Sequence, residues 1–188
     1  MPSWRKNRSE SPDVETASSV EASVARILPS RRLPMPWDLS THTVELLPQH
    51  NFLYDSSMMG DDYTPYYARQ GDCIVPDGPC VWGPTTTLLE LPISWTLDDY
   101  PHFEFLRTPT TILPGLMRAE DVLQNWIDDF VYMQRVTDWG IITYTMHPYV
   151  IGRGHRMLML ERLILRLIEG GAEFLSMEEA ARAFTARA

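Results

Sequence analysis

The chain is poor in cysteine and in positive charge. Its two cysteines, Cys73 and Cys80, lie seven residues apart in a loop rich in proline and glycine. We expect both thiols to be reduced, because a chain without an export signal folds in a reducing compartment. Lys and Arg total 16 against 25 Asp and Glu, which gives a formal net charge of −9. That balance argues against nucleic acid and against an anionic membrane as the main partner.

Long apolar runs are also missing. No apolar stretch approaches the roughly 18 residues that a membrane-spanning helix needs. The N-terminal residues are followed by Ser, Glu and Asp instead of the apolar core of a secretory signal. With 44% hydrophobic residues in a chain of 188, the composition is that of a globular domain with a sizeable core. We therefore expect a cytoplasmic protein.

Several motifs that mark common enzyme classes are absent. The five histidines include no two that lie three or four residues apart, so no helical metal-binding pair is present. The sequence has no glycine-rich phosphate loop and no Gly-x-Ser-x-Gly turn around a nucleophilic serine. Any catalytic chemistry must therefore rest on residues brought together by the fold.

The composition changes near residue 36. Residues 1–36 carry six basic and four acidic side chains, so this stretch has a charge of +2 while residues 37–188 have a charge of −11. The first stretch is rich in Ser and Pro and poor in large apolar residues, which predicts a disordered or loosely attached arm. We expect the ordered domain to begin at Trp37 and to reach residue 188.

Helical and extended patterns alternate within this domain. Helices are predicted from Ser40 to Pro48, over 119–136, over 153–169 and after Ser176, where Glu179 completes a capping box. Strands are predicted over 51–54, 88–95, 140–146 and 172–175, with a long irregular stretch over 58–87. This alternation predicts the α/β class with a parallel sheet.

Polar residues follow three of the predicted strands. They are Asp55 with Ser56 and Ser57, Asp98 with Asp99 shortly after Trp95, and His147. If the strands are parallel neighbours, these groups open on one rim, where catalytic residues collect in α/β folds. Aspartate after a strand is equally typical of an ordinary turn or helix cap. His147 suits either a structural role or general acid–base catalysis near neutral pH.

Three segments resemble one known family, in order and over some 150 residues. They are residues 52–62 (FLYDSSMMGDD), 91–101 (LPISWTLDDYP) and 146–153 (MHPYVIGR). Together they are similar to the polysaccharide deacetylase family, also called NodB-like or carbohydrate esterase 4. The nearest branch is the one that contains peptidoglycan-deacetylase-like and allantoinase-like bacterial proteins.

The resemblance implies a distorted (β/α) barrel of the TIM type, of which this chain supplies an incomplete C-terminal part. It implies a hydrolase of non-peptide C–N bonds, with a divalent metal (Zn, Co or Fe) held by one aspartate and two histidines. His147 matches the general acid of the family. Trp95, Asp98 and Asp99 match its substrate-pocket segment, where we also expect Asp55 and Tyr100.

The metal ligands of the family are not found in this chain, because its Asp-Asp and His-x-x-x-His motifs belong upstream of Trp37. We therefore expect a truncated domain that is poorly active alone on a carbohydrate or small amide. The alternative is a non-catalytic remnant or a module that binds a sugar or amide. Exposed strand edges favour a homo-oligomer, and a separately encoded N-terminal half is a further possible partner.

Overall fold

Six helices and five strands make up the part of the chain that the structure describes. The computed structural model describes residue 40, residues 42–110 and residues 112–187. The helices are α1 (Thr43–Gln49), α2 (Asp99–Phe103), α3 (Ala119–Val136), α4 (Pro148–Ile151), α5 (Gly154–Glu169) and α6 (Met177–Thr185). The strands are β1 (Tyr54–Asp55), β2 (Tyr66–Arg69), β3 (Thr85–Glu90), β4 (Leu106–Arg107) and β5 (Ile112–Leu113). The predicted arm over 1–36 and the predicted domain start at Trp37 lie outside these ranges and stay predictions.

The two long helices form the main core. α3 and α5 pack against each other, as the apolar spacing of both segments predicts. Trp126 and Phe130 of α3 and Leu163 of α5 are almost completely buried there. Gly170 and Gly171 follow α5 as predicted, and Gly171 has the positive φ of 84° that favours glycine after a helix. No described helix has the length and apolarity needed to cross a membrane.

The last helix covers the sheet. At its start the Ser176 hydroxyl accepts the Glu179 N–H at 3.2 Å, and the Glu179 carboxylate accepts the Ser176 N–H at 2.8 Å, which confirms the predicted capping box. Ala181 of α6 packs against Leu89 and Leu91, at and just after the end of β3. The helix therefore closes the apolar face of the strand that leads towards residues 95–99.

The main sheet is mixed, where an all-parallel sheet was expected. Its strand order is β1-β3-β2, with β1 parallel and β2 antiparallel to β3. β2 falls inside the stretch predicted to be irregular. Only residues 70–84 connect it to β3, and they contain no crossover helix, so the chain turns back and pairs antiparallel. Gly83 permits this turn, because a Cβ there would lie 1.8 Å from the Gln70 carbonyl oxygen.

None of the four predicted strands has its predicted bounds, and the strand predicted over 51–54 is observed as Tyr54–Asp55. Residues 140–146 and 172–175 form no regular strand, and β3 ends at Glu90 instead of continuing to residue 95. Residues 141–145 are held at their two ends by Tyr63 and by Leu97–Asp99. Because the second partner is a 3-10 turn (Trp95–Leu97) and the start of α2, no continuous ladder can form beside this segment. The described residues therefore form a mixed α/β fold, and they show no closed barrel.

α1 differs from its prediction by its bounds alone. It begins at Thr43, since Ser40 lies in the preceding turn, where its Oγ accepts the His42 N–H at 3.2 Å. Pro48 lies in the last turn and the helix ends one residue later, at Gln49. A proline cannot donate the backbone hydrogen bond of a continuing helix, so the stop comes where the sequence places it to within one residue.

Candidate active site

Two short helices place the polar residues that follow the predicted strands. Asp98 is the N-cap of α2, and its Oδ1 accepts the Tyr100 N–H at 2.7 Å. Asp99 is the first residue of that helix. His147 precedes Pro148, the first residue of α4, and has the extended backbone that a residue before proline prefers (φ −104°, ψ 122°). Each of the three residues is thus fixed by a helix start.

Backbone hydrogen bonds bring the two helix starts together. The Thr145 N–H donates to the Leu97 carbonyl at 2.9 Å, and the Asp99 N–H donates to the Thr145 carbonyl at 3.0 Å. This is a single parallel bridge between Asp98 and Thr145. It aligns the two segments so that His147 lies beside Asp99.

Asp99 and His147 form a close pair. The ring Nδ1 of His147 lies 2.7 Å from Asp99 Oδ1. The His147 backbone N–H also donates to both carboxylate oxygens, at 3.1 and 3.0 Å. The Asp99 side chain is completely buried, whereas 21% of the His147 side chain is exposed. The aspartate therefore fixes both the backbone and the ring of a histidine that solvent can reach.

This contact determines which nitrogen of His147 can transfer a proton. An ionised carboxylate can only accept, so Nδ1 carries the hydrogen that Asp99 receives. The second ring nitrogen, Nε2, has no hydrogen-bond partner among the described residues. In the neutral ring Nε2 is an acceptor, and in the protonated ring it is a donor. The arrangement is that of a carboxylate-oriented general acid or base.

Burial and nearby charge act in opposite directions on the two aspartates. The pKa of Asp99 is raised overall, because its burial outweighs the hydrogen bonds from His147 and the positive charges of His147 and Arg156, which lower it. Burial likewise raises the pKa of Asp98, and the Tyr100 N–H and the His147 ring oppose that rise. Both carboxylates therefore depend on neighbouring positive groups to stay ionised.

Aromatic side chains surround the histidine. The ring centroids of Tyr100 and Tyr149 lie 5.5 and 5.9 Å from that of His147, and both contacts are edge-on. Tyr149 is exposed and Tyr100 is half-buried. Trp95, also half-buried, begins the 3-10 turn just before Asp98. Of the predicted site residues, Asp98, Asp99, Tyr100 and His147 are thus in contact with one another, and Trp95 is next to them in sequence.

The structure does not place Asp55 in this group. Its side chain is completely buried between β1 and β3, where its Oδ2 accepts the Ser57 hydroxyl at 2.5 Å. Glu90 lies beside it in the parallel register and is also completely buried. Burial and the Asp55 charge raise the pKa of Glu90 to about 8. Asp55 therefore belongs to a second, separate acidic cluster.

Glu90 and Arg156 are buried charged residues that the sequence motifs do not mark. Glu90 interrupts the apolar run of residues 88–91, and Arg156 lies among the core positions of α5. A charged residue inside an apolar pattern is the signal that could have found both, because it is rarely buried without a specific partner.

Asp98, Asp99 and His147 are a possible metal-binding group by composition, since their ligand atoms lie within 4.8 Å of one another. The geometry does not fit a bound metal. Two ligands of a tetrahedral zinc, each about 2.1 Å from the ion, lie about 3.4 Å apart. Nδ1 of His147 and Oδ1 of Asp99 are 2.7 Å apart and share a hydrogen bond instead. We therefore treat the three as an acid–base group.

Known proteins share sequence and structure with this chain. No family model matches the chain. Over 139 residues it is 37% identical to the peptidoglycan deacetylase of Helicobacter pylori, an overlap of 68% of this chain and 47% of the relative. The chain belongs to the polysaccharide deacetylase family. The resemblance seen in the sequence is thus confirmed.

Two further proteins named as deacetylases or deacetylase-like are similar to this chain. A peptidoglycan deacetylase-like protein of Gibberella zeae is 28% identical over 163 residues, which cover 76% of the chain and 47% of the relative. A crystal structure described as a polysaccharide deacetylase of Mycobacterium smegmatis matches with a TM-score of 0.59 and 28% identity. It covers 80% of this chain and 47% of the other. The chain thus spans about half the length of its relatives.

Proposed function

We propose that this chain carries the proton-transfer part of a hydrolase that removes N-acetyl groups, or cleaves another non-peptide C–N bond, in a carbohydrate or small amide. The observation that carries the proposal is the 2.7 Å contact between His147 Nδ1 and Asp99 Oδ1. The names of the relatives, which are deacetylases, support this reaction class.

His147 is suited to the step that makes amide hydrolysis difficult. The departing nitrogen is a poor leaving group until it accepts a proton, and a protonated Nε2 supplies one. The buried Asp99 stabilises the positive ring and keeps Nδ1 occupied, so Nε2 is the nitrogen that exchanges protons. Tyr100 and Tyr149 contact the ring edge-on. We assign the substrate contacts to Trp95, Tyr100 and Asp98.

The family is generally metal-dependent, and a divalent metal would polarise the amide carbonyl and activate water. We propose that its ligands lie outside the Asp98, Asp99 and His147 group, because that group is closed by a hydrogen bond. We also propose that the mixed α/β elements described above are part of a larger barrel. On this view the chain alone is poorly active.

A second candidate function is a module that binds a sugar or amide without cleaving it. The observation that favours it is that, within the described ranges, no other group of three His, Cys, Asp or Glu side chains lies close enough together to hold a metal. The tyrosines beside His147 offer a surface on which a sugar ring can pack. Binding without acetate release would support this candidate.

Measurement of acetate release distinguishes the two candidate functions. The chain is incubated with N-acetylated chitooligosaccharides or peptidoglycan fragments and Zn²⁺, Co²⁺ or Fe²⁺, and acetate is measured beside binding by ligand-observed NMR. We expect slow release, lowered about 100-fold or more in His147→Ala with binding kept. The control is His155→Ala, on the exposed side of α5. Binding alone supports the binding module, and neither binding nor release contradicts both functions.

We further propose that the chain works with a second polypeptide, either another copy of itself or a separately encoded N-terminal half. Supporting this, α5 exposes Leu158, Leu165 and Ile168, each more than half accessible. Apolar side chains exposed together on one helix are typical of a surface that another chain covers. Light scattering of the purified chain tests self-association. A monomer at all concentrations would contradict the proposal that the chain pairs with another copy of itself.

A further inference from the structure

Arg156 is a buried arginine, so bulk water does not solvate its charge. It lies in the first turns of α5 with 7% of its surface exposed. A guanidinium keeps its charge in any environment and is costly to bury unless its N–H groups are paired. Its partners therefore indicate what it does.

The guanidinium connects the two short helices of the candidate site. Nη1 donates to the Val150 carbonyl of α4 at 2.8 Å, and Nη2 donates to the Phe103 carbonyl at the end of α2 at 3.1 Å. The guanidinium carbon also lies 4.7 Å from the centre of the Phe103 ring. A cation near the C-terminal carbonyls of a helix is favourable, because those carbonyls have no partner within the helix.

The same helices begin with the acid–base pair. α2 starts at Asp99 and α4 follows directly after His147, so each is only about one turn long between the Arg156 contact and the site. One side chain thus holds the far ends of both helices. Among the described residues, the charged and titratable groups that act on Asp99 are His147, Asp98, Tyr149 and Arg156. The Arg156 charge lowers the pKa of Asp99 against the effect of its burial.

We propose that Arg156 is a positioning residue: by tying the C-terminal ends of α2 and α4 together, it holds Asp99 against His147. Its importance for hydrolysis rests on the proposed function, but its effect on the Asp99–His147 pair does not. The two can therefore fail separately.

The test compares three variants of the full chain. Arg156→Met removes both carbonyl contacts and the charge, whereas Arg156→Lys keeps the charge with a single-pronged donor. Arg166→Met is the matched control, since it removes an exposed guanidinium from the same helix. NMR follows two signals, the carboxyl ¹³C of Asp99 as a function of pH and the exchange of the His147 Nδ1 proton with water. Circular dichroism checks that each variant is folded.

In Arg156→Met we expect the pKa of Asp99 to rise and the Nδ1 proton to exchange about tenfold faster or more, as for the loss of one aligned hydrogen bond. Arg156→Lys should keep the Asp99 titration near that of the wild type and still exchange faster, because one carbonyl contact is lost. Arg166→Met should change neither signal. If Arg156→Met does not fold, the lysine variant decides by its exchange rate. Wild-type behaviour of both signals in a folded Arg156 variant would overturn the proposal, whatever the acetate assay shows.

Discussion

Two buried acidic clusters lie in the same domain and differ in what surrounds them. Asp99 accepts hydrogen bonds from the ring and backbone of His147, and the positive charge of Arg156 lowers its pKa. In the other cluster Asp55 Oδ1 and both carboxylate oxygens of Glu90 are buried without a well-aligned partner among the described residues. The N–H groups of Ser57 and Met58 lower the pKa of Glu90 but do not offset its burial.

The comparison shows what makes a buried carboxylate useful for acid–base chemistry. Beside a histidine and an arginine, Asp99 can stay ionised and orient a proton donor. Without a cation, Asp55 and Glu90 cannot both be charged, so Glu90 holds a proton near neutral pH. The first cluster has the geometry of a carboxylate that orients a histidine ring, and the second buries two carboxyl groups side by side at the ends of β1 and β3.

The largest expected effect is a change of the unfolding free energy with pH, caused by Glu90 in the second cluster. The pKa of Glu90 is about 8 in the folded chain, above its ordinary 4.5, so the native state binds more protons between these values. The unfolding free energy should therefore fall as pH rises from about 4.5 to above 8, by roughly 3–5 kcal/mol. Glu90→Gln should remove this dependence, measured by urea unfolding at pH 5, 7 and 9.

Glu161→Gln is the control for that experiment, because Glu161 is exposed on α5 and the substitution removes the same carboxyl group. It should keep the wild-type pH dependence. An equal slope in wild type and Glu90→Gln would show that Glu90 is already ionised, and the contrast between the clusters would be lost.

The next largest effect is the loss of unfolding free energy when an aspartate of the first cluster is removed. Asp99→Ala leaves the buried partners of the carboxylate uncompensated, and removal of one partner of a buried ion pair costs about 3 kcal/mol or more. Asp98→Ala loses one N-cap hydrogen bond, which is worth about 1 kcal/mol. Urea unfolding at pH 7 measures both. Equal losses in the two variants would show that Asp99 is no more strongly held than an ordinary cap.

The smallest effect tests the hydroxyl beside Asp55. Ser57→Ala removes the donor at 2.5 Å from Asp55 Oδ2 and should lower the unfolding free energy by about 1–2 kcal/mol. Ser56→Ala, whose hydroxyl makes only a 3.3 Å contact with the Leu91 carbonyl, is the matched control and should lose less. A larger loss in Ser56→Ala would place the important hydrogen bond outside the Asp55 cluster.

The candidate site was predictable from sequence to the extent that it depends on short segments. Asp98 and His147 each stand directly before a short helix, but the strands predicted ahead of them end early or do not form. The meeting of Asp99 with His147 depends on one bridge between residues 48 apart in the chain. No local pattern specifies such a contact, so the role of Asp99 as the partner of His147 was not foreseen.

The helices were predicted better than the sheet for a related reason. The apolar spacing of α3 and α5 and the caps around α6 are contained in the helix itself. Strands need a neighbour: residues 140–146 have the composition of a buried strand but meet only a turn and a helix start, and they remain irregular. The contacts of Asp55 with Ser57 and Glu90 likewise depend on the pairing of β1 with β3, which no local pattern specifies.

A double-mutant cycle on acetate release tests the central claim most directly. Asp99→Asn, His147→Ala and the double variant are compared with the wild-type chain in the assay described above. Because residues that act as one unit are strongly non-additive, the double variant should be about as slow as His147→Ala alone. Losses that multiply, with Asp99 and His147 contributing independently, would contradict the account of a single acid–base pair.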